Sequence, residues 1–255
     1  MSKTIANCTL WLDSVAIASQ VNQVTIEQSA AELDITNFSN VGQARLGGLK
    51  DGVISAAGFW EANPDPDFTI FGDVGSNVPV TVALARSAPV GTVAYLMNAL
   101  LAEYGGIGAK VGNPLAFSLK CGQGGSNLPL VATTNSGRLA QGVLAINSVI
   151  TAAGSSAVYG PLPAPVLLQS IVASVHVIGA IVGGGTFSLS LSSSASISMT
   201  SPTVRATFGA PGFTTAGSDI AEIPGPITDT YWQFNWNLTG TSPSATVAAA
   251  LGNAY

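Results

Sequence analysis

Hydrophobic and polar residues alternate along most of this 255-residue chain, and the alternation predicts strands. Leu10 and Leu12 alternate with Trp11 and Asp13 in a short first strand. Val21 to Gln28 and Ala31 to Thr36 read as a hairpin around Ser29-Ala30, with Val24 and Ile26 facing one way and Thr25 and Glu27 the other. A polar loop, Asn37 to Gln43, follows. Gly47-Gly48 and Lys50-Asp51-Gly52 then read as tight reversals, because glycine takes positive φ freely. Val53 to Trp60 carries no charge on either face, which predicts a strand covered on both sides. The two prolines of Asn63-Pro64-Asp65-Pro66-Asp67 argue against a regular helix or an interior strand. Val78 to Arg86 alternates again.

At Thr92 the period changes. Val93, Leu96, Met97, Leu100, Leu101 and Tyr104 are spaced as one face of an α-helix, with Thr92 as N-cap and Gly105-Gly106 as stop. Strands return over Pro114–Lys120, Leu128–Thr133 and Arg138–Ile146, with a loop at Gly122–Asn127. Ala152–Pro165, rich in Gly, Pro, Ser and Ala, reads as a linker. Beyond it come Gln169–Ile178, Phe187–Ser192 and Thr203–Phe208, then a loop holding Pro211, Gly212, Pro224 and Pro226. Tyr231–Leu238 is the clearest strand, with Trp232, Phe234, Trp236 and Leu238 on one face. Ala245–Leu251 is the last. The fold class is therefore mainly β: packed antiparallel sheets, sandwich or barrel, with one amphipathic helix near 92–104 across an open face. Residues 1–150 form a first β unit with that helix. Residues 166–255 form a second β half closely packed on it, unless the two are one domain.

Composition changes the picture. Charged residues are 8% of the chain and hydrophobic ones 47%, with a mean hydropathy of +0.44. Ordinary soluble proteins carry about 25% charge. So few charges cannot cover a lone molecule, which points to an obligate assembly whose surface becomes interface. The net charge of −5 is uneven: residues 1–110 hold ten acids and five bases, and 111–255 hold three of each. No basic run exists, which argues against binding nucleic acid through its phosphates. Cys8 and Cys121 read as small buried hydrophobes. Val166–Val182 is the most apolar run, but Gln169, Ser170, Ser174 and His176 interrupt it, so no membrane span is expected.

Catalytic chemistry lacks its parts. His176 is the sole histidine, and no Gly-x-Ser-x-Gly elbow exists. A satisfied core or interface histidine is the better reading. Gly106-Ile107-Gly108 with Gly112 misses the dinucleotide fingerprint by one place and follows the wrong kind of element. Asp65, Asp67 and Asp73 do not have calcium-loop spacing, since Thr69 and Ile70 stand where a ligand and a glycine belong. No metal or cofactor is expected. Trp232, Phe234 and Trp236 suit a sugar-stacking face, but alternate aromatics on one strand are more often core.

A resemblance rests on particular residues. Thr36-Asn37-Phe38, then Arg45-Leu46-Gly47-Gly48-Leu49-Lys50-Asp51-Gly52, then Gly58-Phe59 spell a T-N-F loop, R-x-x-G-L-K-D-G and a strand ending in G-F. This resembles the major tail (tail tube) proteins of long-tailed bacteriophages. Thr228-Asp229-Thr230-Tyr231-Trp232 and Gly240-Thr241-Ser242-Pro243-Ser244 resemble the C-terminal halves of actinophage-type tail proteins. The resemblance implies a structural virion protein, not an enzyme, assembled in the host cytoplasm. Its copies would form rings that stack into a hollow tube, with other tail proteins as further partners and DNA passing through unbound. A capsid decoration or cement protein and a carbohydrate-binding β module using Trp232 and Trp236 are the alternatives. Under the first reading, Asn37, Phe38, Arg45, Lys50 and Asp51 are the candidate subunit-interface loop. A DNA conduit must not hold its cargo, so carboxylates suit its wall; the candidates are Glu27, Glu32, Asp34, Glu61, Asp65, Asp67 and Asp73.

Overall fold

The computed structural model describes residues 2–5, 8–17, 20–35, 45–59, 64–85, 87–105, 115–124, 137–167 and 169–254. Among them are sixteen strands and one short helix, so the fold is mainly β. The first part of the chain gives β1 (Ser2–Ile5), β2 (Thr9–Leu12), β3 (Val15–Ala16), β4 (Val21–Asp34), β5 (Arg45–Phe59), α1 (Pro64–Gly72), β6 (Asn77–Ala83), β7 (Val93–Gly105), β8 (Ala116–Gln123) and β9 (Ala140–Ile150). The second gives β10 (Gly154–Ser155), β11 (Ser170–Val182), β12 (Phe187–Ser194), β13 (Thr203–Phe213), β14 (Gly217–Pro224), β15 (Tyr231–Leu238) and β16 (Ser244–Ala254). The larger sheet runs β1-β4-β5-β8-β7-β9-β16-β11-β14, with β2, β3 and β6 branching from β7; the smaller runs β10-β15-β12-β13.

Three hydrophobic clusters separate these strands into layers. Val24, Ile26, Ile54, Ala56 and Leu119 of β4, β5 and β8 pack against Leu10, Leu12, Val80, Val82 and Met97 of β2, β6 and β7. The opposite face of that second layer meets β9, β11, β14 and β16 across Trp11, Ala83, Ala94, Leu96, Ala140, Val172, Ala248 and Ala250. So many alanines let the two layers approach closely. The far face of β11 and β16 packs on the smaller sheet through Ile171, Val175, Phe187, Leu191, Trp232 and Phe234. Where β9 crosses β16, Gly142 is needed for room: a Cβ there would lie 1.9 Å from the Leu251 carbonyl oxygen.

This layering corrects several expectations. The predicted helix at 92–104 is the strand β7. Tyr95, Met97, Ala99 and Leu101 enter one cluster while Ala94 and Leu96 enter the next. A strand buried on both faces shows no period of two, and its run of apolar residues mimics a helical stripe. Conversely, Pro64 and Pro66 do not forbid a helix. They occupy the first turn of α1, where backbone N–H groups have no intrahelical partner anyway. The hairpin around Ser29-Ala30 is one continuous strand, β4, and Gly47 to Gly52 lie inside β5, paired to it rather than reversing. Only one face of Val53–Phe59 is buried.

The Ala152–Pro165 segment is no free linker. It runs along β15 as an added edge, with backbone bonds from Ser156 to Phe234, Tyr159 to Trp232 and Leu162 to Thr230. Gly212 and Pro224 belong to strands, and β14 between them lacks an alternating signal. Tyr231–Leu238 is found as read. Residues 128–133 lie outside the described set.

Candidate functional site

Beyond Gly52 the paired strands β4 and β5 leave the sheet, because β8 follows β5 only from Val53 to Phe59. Residues Glu27 to Ile35 are exposed throughout, so a two-stranded ribbon projects from the body. Its end is two-sided. Asp34 pairs with Arg45, and Arg45 binds Glu32 at 2.5 Å, which places these three on one face. Leu33 and Leu46 stand opposite each other on the other face, 52% and 54% exposed, and Ile35 beside them is 52% exposed. A register shift between Ala30 and Glu32 sets this phase. Lys50 and Asp51 are exposed nearer the body. Of the expected interface loop, Arg45, Lys50 and Asp51 therefore stand on the ribbon, whereas Asn37 and Phe38 lie outside the described residues.

The outward face of the sheet beside the ribbon is polar. Thr25, Ser55, Lys120 and Glu103 stand side by side across β4, β5, β8 and β7. With Gln23 and Ser118 they line an open groove of about 230 Å³. Glu27 is two residues beyond Thr25, on the same face. One row inward, Ile26, Ile54, Cys121 and Leu101 are buried. Burial pushes the Cys121 thiol up to about 12. Both cysteines are free and buried, as read.

The other expected acids are occupied differently. Asp67, on α1, accepts a 2.5 Å hydrogen bond from the Tyr104 hydroxyl, and burial together with that bond raises the phenol's pKa. Asp73 follows the helix, half-buried, with its carboxyl pKa raised by desolvation first and by Asp13 second. Asp65 lies in the first turn, and Glu61 is outside the described residues. Ile70 is buried, so Ile70 and the Asp67–Tyr104 bond pin α1 to the body. Phe68 and Phe71 point the other way, 83% and 71% exposed, with Val74 exposed next to them.

His176 is fully buried, as a core histidine should be. Its Nδ1 lies 2.6 Å from the Asp13 carbonyl oxygen, its Nε2 2.8 Å from Thr81 Oγ1, and Thr81 is 2.7 Å from Ser174 Oγ. A carbonyl only accepts, so Nδ1 carries the proton and Nε2 accepts from Thr81. Trp11 stacks on the ring at 6.5 Å, and Ser218 donates to Asp13 Oδ1. The set ties β2 and β6 to β11 and β14. Ser174 does not touch the imidazole and is itself fully buried, so the group is a structural tie. Sequence reasoning found the histidine but not Thr81 or Asp13, which are brought to it from 95 and 163 residues away.

Trp232 and Phe234 are core, which removes Trp232 from any sugar face; Trp236 is partly buried and donates to the Ala152 carbonyl. The outer face of the small sheet holds a groove of about 490 Å³ lined in part by Ser188, Ser190, Thr207, Asn235 and Asn237. Among the described residues no three His, Cys, Asp or Glu gather as metal ligands, and no helix is long and apolar enough to cross a membrane.

No family model matches the chain, and no curated protein matches it. Solved structures show a likeness of fold. A chain of the native gene transfer agent virion is similar over 46% of this chain and 92% of its own, with a TM-score of 0.36 and 18% identity. A chain of the sheath–tube complex of an extracellular contractile injection system is similar over 46% and 84%, with a TM-score of 0.36 and 11% identity. The Dit protein of phage SPP1, described as a hub of the adsorption apparatus in phages infecting Gram-positive bacteria, is similar over 97% and 99%, with a TM-score of 0.31 and 11% identity. At these identities and TM-scores the likenesses carry no argument about function.

Proposed function

We propose that the chain is a structural virion protein of a phage tail, a major tail protein that assembles with copies of itself into stacked rings around a channel. The observation that carries this reading is the projecting ribbon. A lone two-stranded ribbon is at best marginally stable in water, and this one presents Leu33, Ile35 and Leu46 to solvent. It also carries most of the R-x-x-G-L-K-D-G pattern on which the resemblance to tail tube proteins rests. The scarcity of charge supports the same conclusion, since a surface of this kind is stable once covered by neighbours. Two large hydrophobic clusters, one within residues 8–139 and one within 145–251, support two closely packed β halves dividing near residue 150.

In the assembly the outward face of β4, β5, β8 and β7 is the wall of the channel. It offers hydroxyls, an amide, Glu27 and Glu103 against one lysine, Lys120, so phosphates would slide past it rather than bind. Asp67 is bonded and Asp73 half-buried against the body, and Glu32 and Asp34 alternate to the other face of β4, so of the expected acids Glu27 is the one proposed for this wall. No catalytic role is proposed. Negative-stain microscopy of the purified protein tests the reading: rings or hollow tubes are expected. Particles that stay single until capsids are added would make it a decoration protein instead.

A further inference from the structure

We propose that the groove on the outer face of the small sheet binds a neutral carbohydrate. Its floor is a grid of uncharged hydrogen-bonding side chains. Strand pairing sets Thr207, Ser190 and Asn235 side by side across β13, β12 and β15, with Ser188 opposite Asn237 in the next row. Neighbours within a row stand about 4.8 Å apart, and the rows about 7 Å apart. Beside this floor β13 bulges. Phe187 pairs with Phe213 but Leu189 with Phe208, and the extra residues on β13 set exposed Ala210 and Pro211 along the groove as an apolar wall. The space, about 490 Å³, falls within the range of small-ligand sites, roughly 300–1,000 Å³.

The lining selects the occupant. None of the residues around the groove is charged. Arg205 on the same strand is paired with Asp229, and Asp219 accepts a hydrogen bond from the Gly209 amide. A phosphate, a metal ion or a nucleic acid therefore finds no counter-charge here. An apolar occupant finds no apolar floor, because Leu189 and Phe208 are buried and Trp236 packs on the core. Among the described residues, the side chains of Ser188, Thr207 and Asn237 have no hydrogen-bond partner. Hydroxyls and carboxamides both donate and accept, so they suit an uncharged ligand that does both around its edge. A sugar ring is such a ligand, and Pro211 offers a surface for its C–H face. All three hydrophobic clusters lie between this groove and the proposed channel wall. On the ring-assembly reading the groove therefore opens on the outside of the tube, once per copy; that orientation rests on the assembly reading, and the groove itself does not. With no aromatic ring in the floor to stack on, one copy holds the sugar weakly, and linked copies raise retention by about 10²–10⁴-fold.

The site is tested by binding the full chain to an immobilised array of neutral oligosaccharides of glucose, galactose, mannose, rhamnose and N-acetylhexosamines. At least one should retain the wild type. Thr207→Val and Asn237→Ala lie at exposed positions and each remove one unpartnered group. Each should weaken retention about two- to tenfold, and the double variant should lose it. Thr246→Val, exposed on β16 and away from the groove, should bind as the wild type does. An array that retains nothing, retention shared by every variant, or a preference for acidic glycans would each overturn the site. Electron microscopy of the same preparation separates the two proposals. Rings that ignore sugars sink the groove alone, and single particles that bind sugar through Thr207 and Asn237 sink the assembly alone.

Discussion

Among single residues, His176 has the most to reveal about how the layers are held. Burial drives its pKa from 6.5 down to about 4, against the smaller upward pull of Asp13. The unfolded chain takes up the proton near 6.5, so between about 6.5 and 4 the unfolded state binds more protons than the folded one. The stability due to a neutral His176 is therefore complete above 6.5 and falls as the pH falls through this window. The loss should be about 2 kcal/mol between pH 7 and pH 5. Urea unfolding of the wild type and of His176→Gln at both pH values measures it: the wild type should lose about that much more than the variant. Equal losses would mean that the imidazole takes up its proton as readily in the fold as in the unfolded chain.

Single elements show why some of the fold was legible. Strand β15 was read correctly because Trp232 and Phe234 enter a core while Gln233 and Asn235 stay outside it, so the alternation survives in the sequence. Strand β7 was not, because clusters on both sides took its residues. Helix α1 escapes a sequence reading because proline breaks a helix only beyond its first turn, and Ile70, alone buried among the described side chains of α1, leaves no stripe. The ribbon was half legible. Its motif stood out, but the glycines suggested a reversal, and the register shift that sorts Leu33 and Leu46 from Arg45 depends on pairing that no local pattern records. The helix yields a contrast that can be measured. In the unassembled chain, Ile70→Ala should cost about 2–5 kcal/mol through its cavity, whereas Phe71→Ser should stay within about 0.5 kcal/mol. Denaturant midpoints in dilute solution distinguish the two, and a large loss from Phe71→Ser would mean that its ring is not free.

For the whole molecule, the decisive quantity is surface that needs company. Covering Phe68 and Phe71 contributes roughly 3–6 kcal/mol of apolar transfer, against which association sets a cost of at least about 4 kcal/mol. Further contacts must add to it, and the charged side of the ribbon is the place to perturb them. Arg45→Glu removes an exposed ion pair with Glu32, worth about 0–1 kcal/mol to the fold. Asp51→Lys likewise touches only the exposed ribbon. Both variants should fold with nearly unchanged thermal midpoints yet sediment as smaller species than the wild type. If both assemble normally, the ribbon is not an interface.

The position of β16 governs when any of this can happen. It is the last strand in sequence order, but it pairs with β9 on one side and β11 on the other, and both its faces are buried. During synthesis the large sheet therefore has a slot in its middle until Ser244–Ala254 has left the ribosome. Under the proposed self-assembly, ring building could not begin on nascent chains, and a chain cut short before Ser244 should accumulate as insoluble material rather than enter and spoil a growing polymer. Co-expressing such a fragment with the intact protein and assaying the soluble assemblies for it provides the check: recovery of the fragment in them would show that the slot can be left open.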